Sequence, residues 1–243
     1  MHCFFISPEK FTETSVVLTG DQAHQILRVL RLQVGDQFMV LDNASWEYVV
    51  EITAVSSKQL IADIIQKQAA HGEPSVEISL YMGMMKRDKF EWVLQKCTEI
   101  GVTRFVPVIT QRSLVQDTKM KDNKFDRWQK IITEAAEQSR RGKIPELCPP
   151  LKLADAFAEL DADLALIPWE EAEGMDVRAV LDGKRPSSIA LFIGSEGGFA
   201  AEEIELAQQH SIQPITLGKR ILRAETAAIV ASSVILYECG QMK

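Results

Sequence analysis

The chain has 243 residues, of which 46% are hydrophobic and 25% are charged, and its formal net charge at pH 7 is -7. This is the composition of a globular protein with one large domain, or with a small domain followed by a larger one. The four cysteines and four histidines are scattered, so they form neither a disulfide framework nor a metal-ligand pattern. The first residues lack a signal-peptide pattern, and no apolar run approaches a membrane span. We therefore expect a metal-free, cytoplasmic protein without a membrane segment.

The charge is distributed unevenly along the chain. Residues 86–143 carry fourteen Lys and Arg against eight Asp and Glu, whereas residues 144–185 carry four against ten. Because the field near a patch governs binding more than net charge does, the first segment could face a polyanion such as RNA. Ordinary solvated helix faces would give the same composition, so both interpretations stay open here.

The first 72 residues have the pattern of a small β-barrel. Turn residues at Gly35-Asp36 and Asp42-Asn43 separate apolar runs, and residues 46–54 alternate with the period of two that a half-buried strand requires. We predict one short helix, Gln22 to Leu32, among these strands. A polar Gly- and Pro-containing segment, Lys67 to Pro74, predicts a domain boundary, which gives domains of residues 1–72 and 73–243.

Beyond Val76 the pattern changes to alternating strands and helices. Five apolar runs predict strands, and apolar residues recur at helical spacing after Asp88 and after a cap at Asn123. This alternation predicts an α/β domain with a mostly parallel sheet covered by helices.

A glycine-rich segment, Gly194 to Phe199, follows one of these predicted strands and precedes a helix. Three glycines within five residues permit close approach of the backbone to a ligand. Loops at the carboxyl ends of parallel strands are where open α/β sheets bind ligands. A tight turn without a ligand fits the same residues equally well. The spacing matches neither the dinucleotide nor the nucleoside triphosphate pattern.

The loop Leu217 to Ala227 follows the next predicted strand and leads into the last helix. Three cations surround the apolar pair Ile221-Leu222, and Glu225 and Thr226 suit a helix N-terminus. Apolar residues embedded in a basic loop are typical of a ligand site, where they could sandwich an adenine ring while backbone groups read its edge.

Several segments together resemble the 16S ribosomal RNA (uracil-N3)-methyltransferase family of the SPOUT superfamily. They extend over nearly the whole chain in the order that the family has. These segments are His24 to Leu32, Lys86 to Val102, Arg112-Ser113, Arg127 to Arg141, Leu191 to Phe199, and Leu217 to Ala227. One departure is Ser195, where the family usually has proline, and serine predicts a looser loop with an added hydrogen-bond donor.

The resemblance implies an N-terminal PUA-like β-barrel that binds RNA and a C-terminal SPOUT methyltransferase domain with a deep trefoil knot. It further implies S-adenosyl-L-methionine as cofactor, a homodimer, and 16S rRNA as the partner, within the small ribosomal subunit. It places three loops at the cofactor. Their residues are Leu166, Ile167 and Pro168, then Gly194, Ser195, Glu196, Gly197 and Gly198, then Leu217, Gly218, Ile221, Leu222, Arg223, Thr226 and Ala227.

Methylation at uracil N3 requires loss of the N3 proton, so an arginine beside the base would stabilise the anion. Arg223, inside the third loop, is the candidate, with Glu196 or Glu225 as proton acceptor or as a group that orients the arginine. A structural salt bridge from Arg223 to Glu225 is the alternative. We expect the RNA phosphates to be held by arginines, and the candidates are Arg28, Arg31, Arg112, Arg140 and Arg141.

Two other functions remain open from the sequence. One is a SPOUT enzyme acting at another RNA position, such as a ribose 2′-oxygen or a guanine nitrogen. The other is an RNA-binding protein that has lost its cofactor, and binding of S-adenosylmethionine separates it from the enzymes. A nucleotide-binding oxidoreductase is disfavoured, because no dinucleotide fingerprint is present.

Overall fold

A computed structural model describes residues 1–56, 59–114, 116, 118–119 and 122–242. The chain divides into two compact units, and the boundary falls between Glu73 and Pro74. The first unit also contains residues 136–144, which the predicted boundary had assigned entirely to the second domain. No helix within these described ranges is long and apolar enough to cross a membrane.

The first unit is built on a five-stranded sheet in the order β1-β3-β4-β5-β2. β1 and β3 pair in parallel, and the other neighbours are antiparallel. Its strands are β1 (Cys3–Phe5), β2 (Ser15–Thr19), β3 (Gln37–Leu41), β4 (Trp46–Val55) and β5 (Gln59–Ala69). The alternation in β4 buries Tyr48, Val50 and Ile52 in one apolar core with Phe38 and Leu60. Trp46 and Ala54, which belong to the same alternation, are exposed.

The predicted helix at Gln22 to Leu32 differs from the observed one. α1 covers Gly20–His24 and continues as a π-helical turn at Gln25–Val29, and a separate 3-10 turn covers Pro8–Lys10. Arg31, with φ at 60°, ends the helical segment in the left-handed region. The turn has wider i to i+5 hydrogen bonding, in which Leu30 N donates to Gln25 O at 2.9 Å. The spacing of apolar residues in the sequence does not reveal this bonding.

The second unit is built on a seven-stranded parallel sheet. Its strands run in the order β12-β10-β11-β6-β7-β8, and β9 pairs with β7. The strands are β6 (Glu77–Gly83), β7 (Arg104–Ile109), β8 (Glu146–Leu147), β9 (Leu151–Lys152), β10 (Leu164–Pro168), β11 (Ser188–Ile193) and β12 (Gln213–Ile215). The five predicted strands are present, and only the two-residue strands β8 and β9 are additional.

Helices cover this sheet, as the alternation predicted. They are α2 (Arg87–Ile100), α3 (Asp122–Gln138), α4 (Leu153–Ala158), α5 (Val177–Leu181), α6 (Ala201–Gln209) and α7 (Ala224–Glu238). α2 is amphipathic and buries its apolar stripe, and Phe90 of that stripe stacks on Trp128 of α3 with ring centroids 4.3 Å apart. Between the strands, Tyr81 stacks on Phe192 at 4.3 Å. These ring contacts hold the helices and central strands in fixed positions, so the loops beyond the strands have a rigid base.

Candidate functional site

The carboxyl ends of β12, β10 and β11 lie side by side because these three strands are parallel neighbours. The segments that follow them line one cavity in the second unit. Its lining residues are Pro168, Trp169, Glu170, Ile193, Gly194, Ser195, Glu196, Gly197, Gly198, Phe199, Thr216, Leu217, Gly218, Arg220, Ile221, Leu222, Arg223, Ala224 and Ala227. A cavity at this edge of a parallel sheet is the usual ligand position in such folds.

Two positions of the glycine-rich loop, Gly194 and Gly197, are packed so closely that a side chain has no room there. A Cβ on Gly194 would lie 2.9 Å from the carbonyl carbon of Gly198, and a Cβ on Gly197 would lie 2.9 Å from Cβ of Arg112. Gly198 has φ at 67° and its N–H donates to Ser195 O at 2.9 Å, which closes a turn. The glycines are therefore required by packing as well as by the turn, and they leave backbone groups open to the cavity.

A neighbouring segment, residues 110–113 after β7, fastens the glycine-rich loop. Thr110 Oγ1 donates to Ser195 Oγ at 3.4 Å and lies 3.0 Å from Ser113 Oγ, and all three hydroxyls are buried. Arg112 Nη1 donates to Gly197 O at 2.9 Å. Ser195, which the sequence predicted to loosen the loop, accepts the hydrogen bond from Thr110. Ser113 belongs to the Arg112-Ser113 pair of the family resemblance, whereas Thr110 carried no signal in the sequence.

The carboxylate of Glu196 faces the start of α2. Its Oε1 accepts a hydrogen bond from Lys86 N at 3.3 Å and lies 3.5 Å from Lys89 Nζ. Glu203 closes the far end of the loop, since its carboxylate accepts hydrogen bonds from Gln111 N at 2.7 Å and Ala200 N at 2.8 Å. The loop between β11 and α6 is thus anchored at two points, to the start of α2 through Glu196 and to the segment after β7 through Glu203.

The two apolar residues of the loop after β12 differ in their exposure. Leu222 is half-buried against the cavity, whereas Ile221 is 83% exposed. Gly218 has φ at 100°, a conformation that favours glycine, and its N–H donates to Thr216 Oγ1 at 3.1 Å. The turn bends the chain back over the cavity toward Arg223, the N-cap residue of α7.

Two of the three predicted catalytic residues line this cavity, and Glu225 does not. The two that line it, Arg223 and Glu196, are exposed. In the described part of the chain, Arg223 and Glu225 form no ion pair, so the proposed structural salt bridge between them is absent. Glu225 is half-buried, and its Oε2 is buried without a hydrogen-bond partner among the described residues.

Three residues predicted at the cofactor do not line the cavity. Leu166 and Ile167 are fully buried within β10, where they support the strand that ends at Pro168, and Thr226 is half-buried in the first turn of α7. Other lining residues were not among those predicted at the cofactor, although they lie within or beside the predicted loops. They are Trp169, Glu170, Ile193, Phe199, Thr216, Arg220 and Ala224.

The predicted RNA-binding arginines occupy different environments. Arg28, Arg31, Arg112 and Arg140 are exposed. Arg141 is buried, and its guanidinium binds the carboxylate of Glu73 through two hydrogen bonds of 3.1 and 2.7 Å. A guanidinium that is 2% exposed and already paired is not placed to contact a phosphate. We therefore remove Arg141 from the RNA-binding set.

Two family models match this chain. Residues 72–236 match an RNA methyltransferase domain, and residues 18–65 match an RNA methyltransferase PUA domain. The chain is 39% identical to a Ribosomal RNA small subunit methyltransferase E of Synechocystis sp., over 95% of this chain and 75% of that protein. It is 32% identical to the protein of that name from Bacillus subtilis, over 91% of this chain and 89% of that protein.

Solved structures agree with this similarity. The structure of a Ribosomal RNA small subunit methyltransferase E from Neisseria gonorrhoeae bound to S-adenosyl methionine superposes with a TM-score of 0.87 at 28% identity, over 98% of this chain and 97% of that one. A methyltransferase from Legionella pneumophila in complex with SAM gives 0.86 at 32% identity, over 97% and 96%. The α/β fold with a PUA-like N-terminal domain is thereby confirmed. This chain belongs to the RNA methyltransferase family that contains the Ribosomal RNA small subunit methyltransferases E.

Proposed function

We propose that this chain transfers a methyl group from S-adenosyl-L-methionine to N3 of a uridine in the 16S rRNA of the small ribosomal subunit. The observation that carries the proposal is the single cavity formed by the three loops after β10, β11 and β12. The names of the relatives, which describe enzymes of small-subunit rRNA, and the SAM bound in two similar structures support it.

The cavity fits this cofactor in shape and in charge. The glycine-rich loop offers backbone donors and acceptors, with no room for a Cβ at Gly194 or Gly197, and Pro168 and Leu222 offer apolar contact for an adenine ring. Glu170 and Glu196 suit the sulfonium and ammonium charges, whereas Arg220 suits the carboxylate. Leu166, Ile167 and Thr226 act without contacting the cofactor. Leu166 and Ile167 hold the end of β10, and Thr226 holds the first turn of α7.

When bound, the cofactor supplies an activated methyl group on a sulfonium, so much of the rate can come from alignment. The chain must orient the uridine and favour loss of its N3 proton. Arg223, whose side chain makes no ion pair with a described residue, is the cation that stabilises the uracil anion. Glu196, at the same cavity, or the incompletely hydrogen-bonded Glu225 accepts the proton or orients Arg223. N3 lies on the Watson–Crick edge, so the uridine reacts unpaired.

The strand order supports the trefoil knot within this domain. β12 pairs with β10 on the edge opposite to β11, so the chain that leaves β11 must cross β10 to reach β12. The glycine-rich loop and the loop at Leu217 to Ala227 lie on the two sides of that crossing. The knot then holds the three cofactor loops together, which ordinary connections do not achieve.

An apolar surface on the last helix supports the homodimer. α7 is apolar around its circumference, which is typical of a helix covered on all sides. Val234 and Tyr237 of this helix are nevertheless exposed in the single chain, as is Ile221 in the preceding loop. A second copy that covers these side chains would complete the burial of α7.

The domain of residues 1–72 binds RNA, and the domain of residues 73–243 transfers the methyl group. Both act in the cytoplasm, where ribosomes are assembled. The exposed Arg28, Arg31, Arg112 and Arg140 bind phosphates, and they supply positive charge that the net charge of -7 conceals. No metal takes part in this chemistry.

Transfer of a tritiated methyl group to 16S rRNA in purified small subunits tests the proposal. Arg223→Ala should retain cofactor binding in calorimetry and lose methyl transfer by about a hundred-fold or more. Arg220→Ala, which removes a cation from the same cavity, is the matched control and should change cofactor affinity more than the rate of transfer. Full transfer by Arg223→Ala would remove the catalytic role of that residue. Absence of cofactor binding by the wild type would instead favour a non-catalytic RNA-binding protein.

A further inference from the structure

A second cavity, of about 880 Å³, lies within the first unit. It is formed by α1 and the π-helical turn on one side, by the loop after that turn, and by the ends of β4 and β5. The cavity is large enough for a nucleotide, since small-molecule sites in proteins have volumes of roughly 300–1,000 Å³. The cavity shares no residue with the cofactor site, and of the predicted phosphate-binding arginines its lining contains Arg28.

One wall of this cavity is apolar although it faces solvent. Leu27 and Leu32 are half-buried, and Val34 and Val55 are exposed at 61% and 44%. Exposed aliphatic side chains gathered around a concave surface are unfavourable in water and become favourable when a flat apolar group covers them. The wall therefore fits one face of a ring.

Other lining residues of the cavity are polar, and Arg28 supplies a positive charge. His24 and Arg28 are exposed, and Gln33, Ser56 and Gln59 also belong to the lining. Amide groups both donate and accept hydrogen bonds, as the edge of a nucleobase requires. No acidic residue is among the described residues that line the cavity. The lining thus suits a ligand with a flat ring, a polar edge and a negative charge.

The backbone of this segment is held in an unusual conformation. The π-helical turn at Gln25–Val29 is followed by Arg31 with φ at 60°. π turns and left-handed non-glycine residues occur often at functional sites, because the surrounding contacts must maintain them. Here the turn places Leu27 and Arg28 in the lining, whereas their neighbour Val29, which is 65% exposed, lies outside it.

We propose that this cavity holds one unpaired nucleotide of the RNA substrate. The base lies against Leu27 and Val34, its edge meets Gln33 or Gln59, and Arg28 and His24 bind the phosphate. The inference rests on the proposed function, since it takes RNA as the substrate. It goes further by assigning the first unit a preference for single-stranded RNA, which phosphate contacts alone would not give.

Binding of a short fluorescein-labelled single-stranded RNA of mixed sequence to the full chain, measured by anisotropy at several salt concentrations, tests this inference. Val34→Ser removes apolar contact without changing charge and should weaken binding about five-fold with an unchanged salt dependence. Val29→Ser, an equally exposed valine outside the lining, is the matched control and should bind as the wild type does. Arg28→Gln should lower the slope of log K against log salt by about 0.7, the value for one phosphate of a single strand.

Four results would overturn the inference. They are wild-type affinity in Val34→Ser, an equal loss in Val29→Ser, an equal loss on a duplex of the same length, and absence of wild-type binding to the single strand. The proposed function is judged separately, by cofactor calorimetry and by methyl transfer to small subunits. In the calorimetry, Val34→Ser must bind the cofactor with wild-type affinity.

Discussion

Arg112 contacts Gly197 in two ways, through a hydrogen bond and through close packing. Arg112 Nη1 donates to the carbonyl oxygen of Gly197 at 2.9 Å, and the Arg112 Cβ occupies the space that a side chain at position 197 would need. The relationship couples the segment after β7 to the glycine-rich loop, although the two residues are 85 positions apart in the chain.

Gly197→Ala should displace the glycine-rich loop and weaken cofactor binding about ten-fold, because over-packing of this size costs roughly 1–3 kcal/mol. Calorimetry with S-adenosylmethionine measures the change. Adding Arg112→Gly removes the colliding Cβ and should restore part of the affinity. An unchanged dissociation constant in Gly197→Ala would show that the loop does not contact the cofactor.

Thr110→Val should weaken cofactor binding and lower the free energy of unfolding by about 1–3 kcal/mol, because it leaves the buried Ser195 hydroxyl without its partner. Thermal denaturation and calorimetry report the two effects. Thr53→Val, an exposed position on β4, makes the same exchange and should leave cofactor affinity as it is. If the two variants behaved alike, the hydroxyl contacts would have no role in holding the loop.

Arg140 and Arg141 should give opposite results when each is replaced by Gln. Arg141→Gln breaks a buried pair with Glu73 and should destabilise the fold by about 3–5 kcal/mol. Arg140→Gln should leave the free energy of unfolding unchanged. It should lower the slope of log K for RNA binding against log salt by the amount that about one phosphate contact contributes. Urea unfolding and anisotropy separate the outcomes. Comparable stability losses in both variants would contradict the assignment.

Alkaline pH should destabilise the protein through its buried thiols. Burial raises the pKa of Cys97 from 9.0 to about 12, and burial, with smaller contributions from Glu137 and Glu47, raises the pKa of Cys3 to about 12. The unfolded chain therefore loses these protons first as the pH rises above 9, which favours unfolding. Protonated thiols contribute their full stability below that pH.

Urea unfolding of wild type and Cys97→Ala checks this effect. The difference in free energy of unfolding between the two proteins should decrease steadily between about pH 9 and pH 11, since only the wild type loses the Cys97 contribution. A constant difference over that range would mean that Cys97 does not carry the raised pKa.

Local patterns predicted much of the fold because each strand and helix has its own periodicity. The alternation in β4 and the apolar stripe of α2 could both be read from neighbouring residues. The loops that line the cavity could be singled out because they follow apolar strands and combine glycines or cations with apolar residues. The π-helical turn was not predicted, since its bonding pattern depends on contacts with the rest of the unit.

Tertiary pairing accounts for what the sequence could not predict. Arg140 and Arg141 are adjacent cations with the same local pattern, and only the contact of Arg141 with Glu73, 68 residues away, buries one of them. The hydrogen bond from Thr110 to Ser195 spans 85 residues. Composition and spacing carry no signal for such contacts, because they arise only when distant strands meet in the sheet.

The product of the reaction tests the central claim most directly. Purified small subunits that lack the modification are incubated with this protein and S-adenosylmethionine carrying a deuterated methyl group, and the nucleosides of the 16S rRNA are analysed by mass spectrometry. The account predicts deuterated 3-methyluridine at a single position, and its loss in Arg223→Ala. A deuterated methyl group on a ribose 2′-oxygen or on a guanine nitrogen, with none on uridine N3, would contradict it.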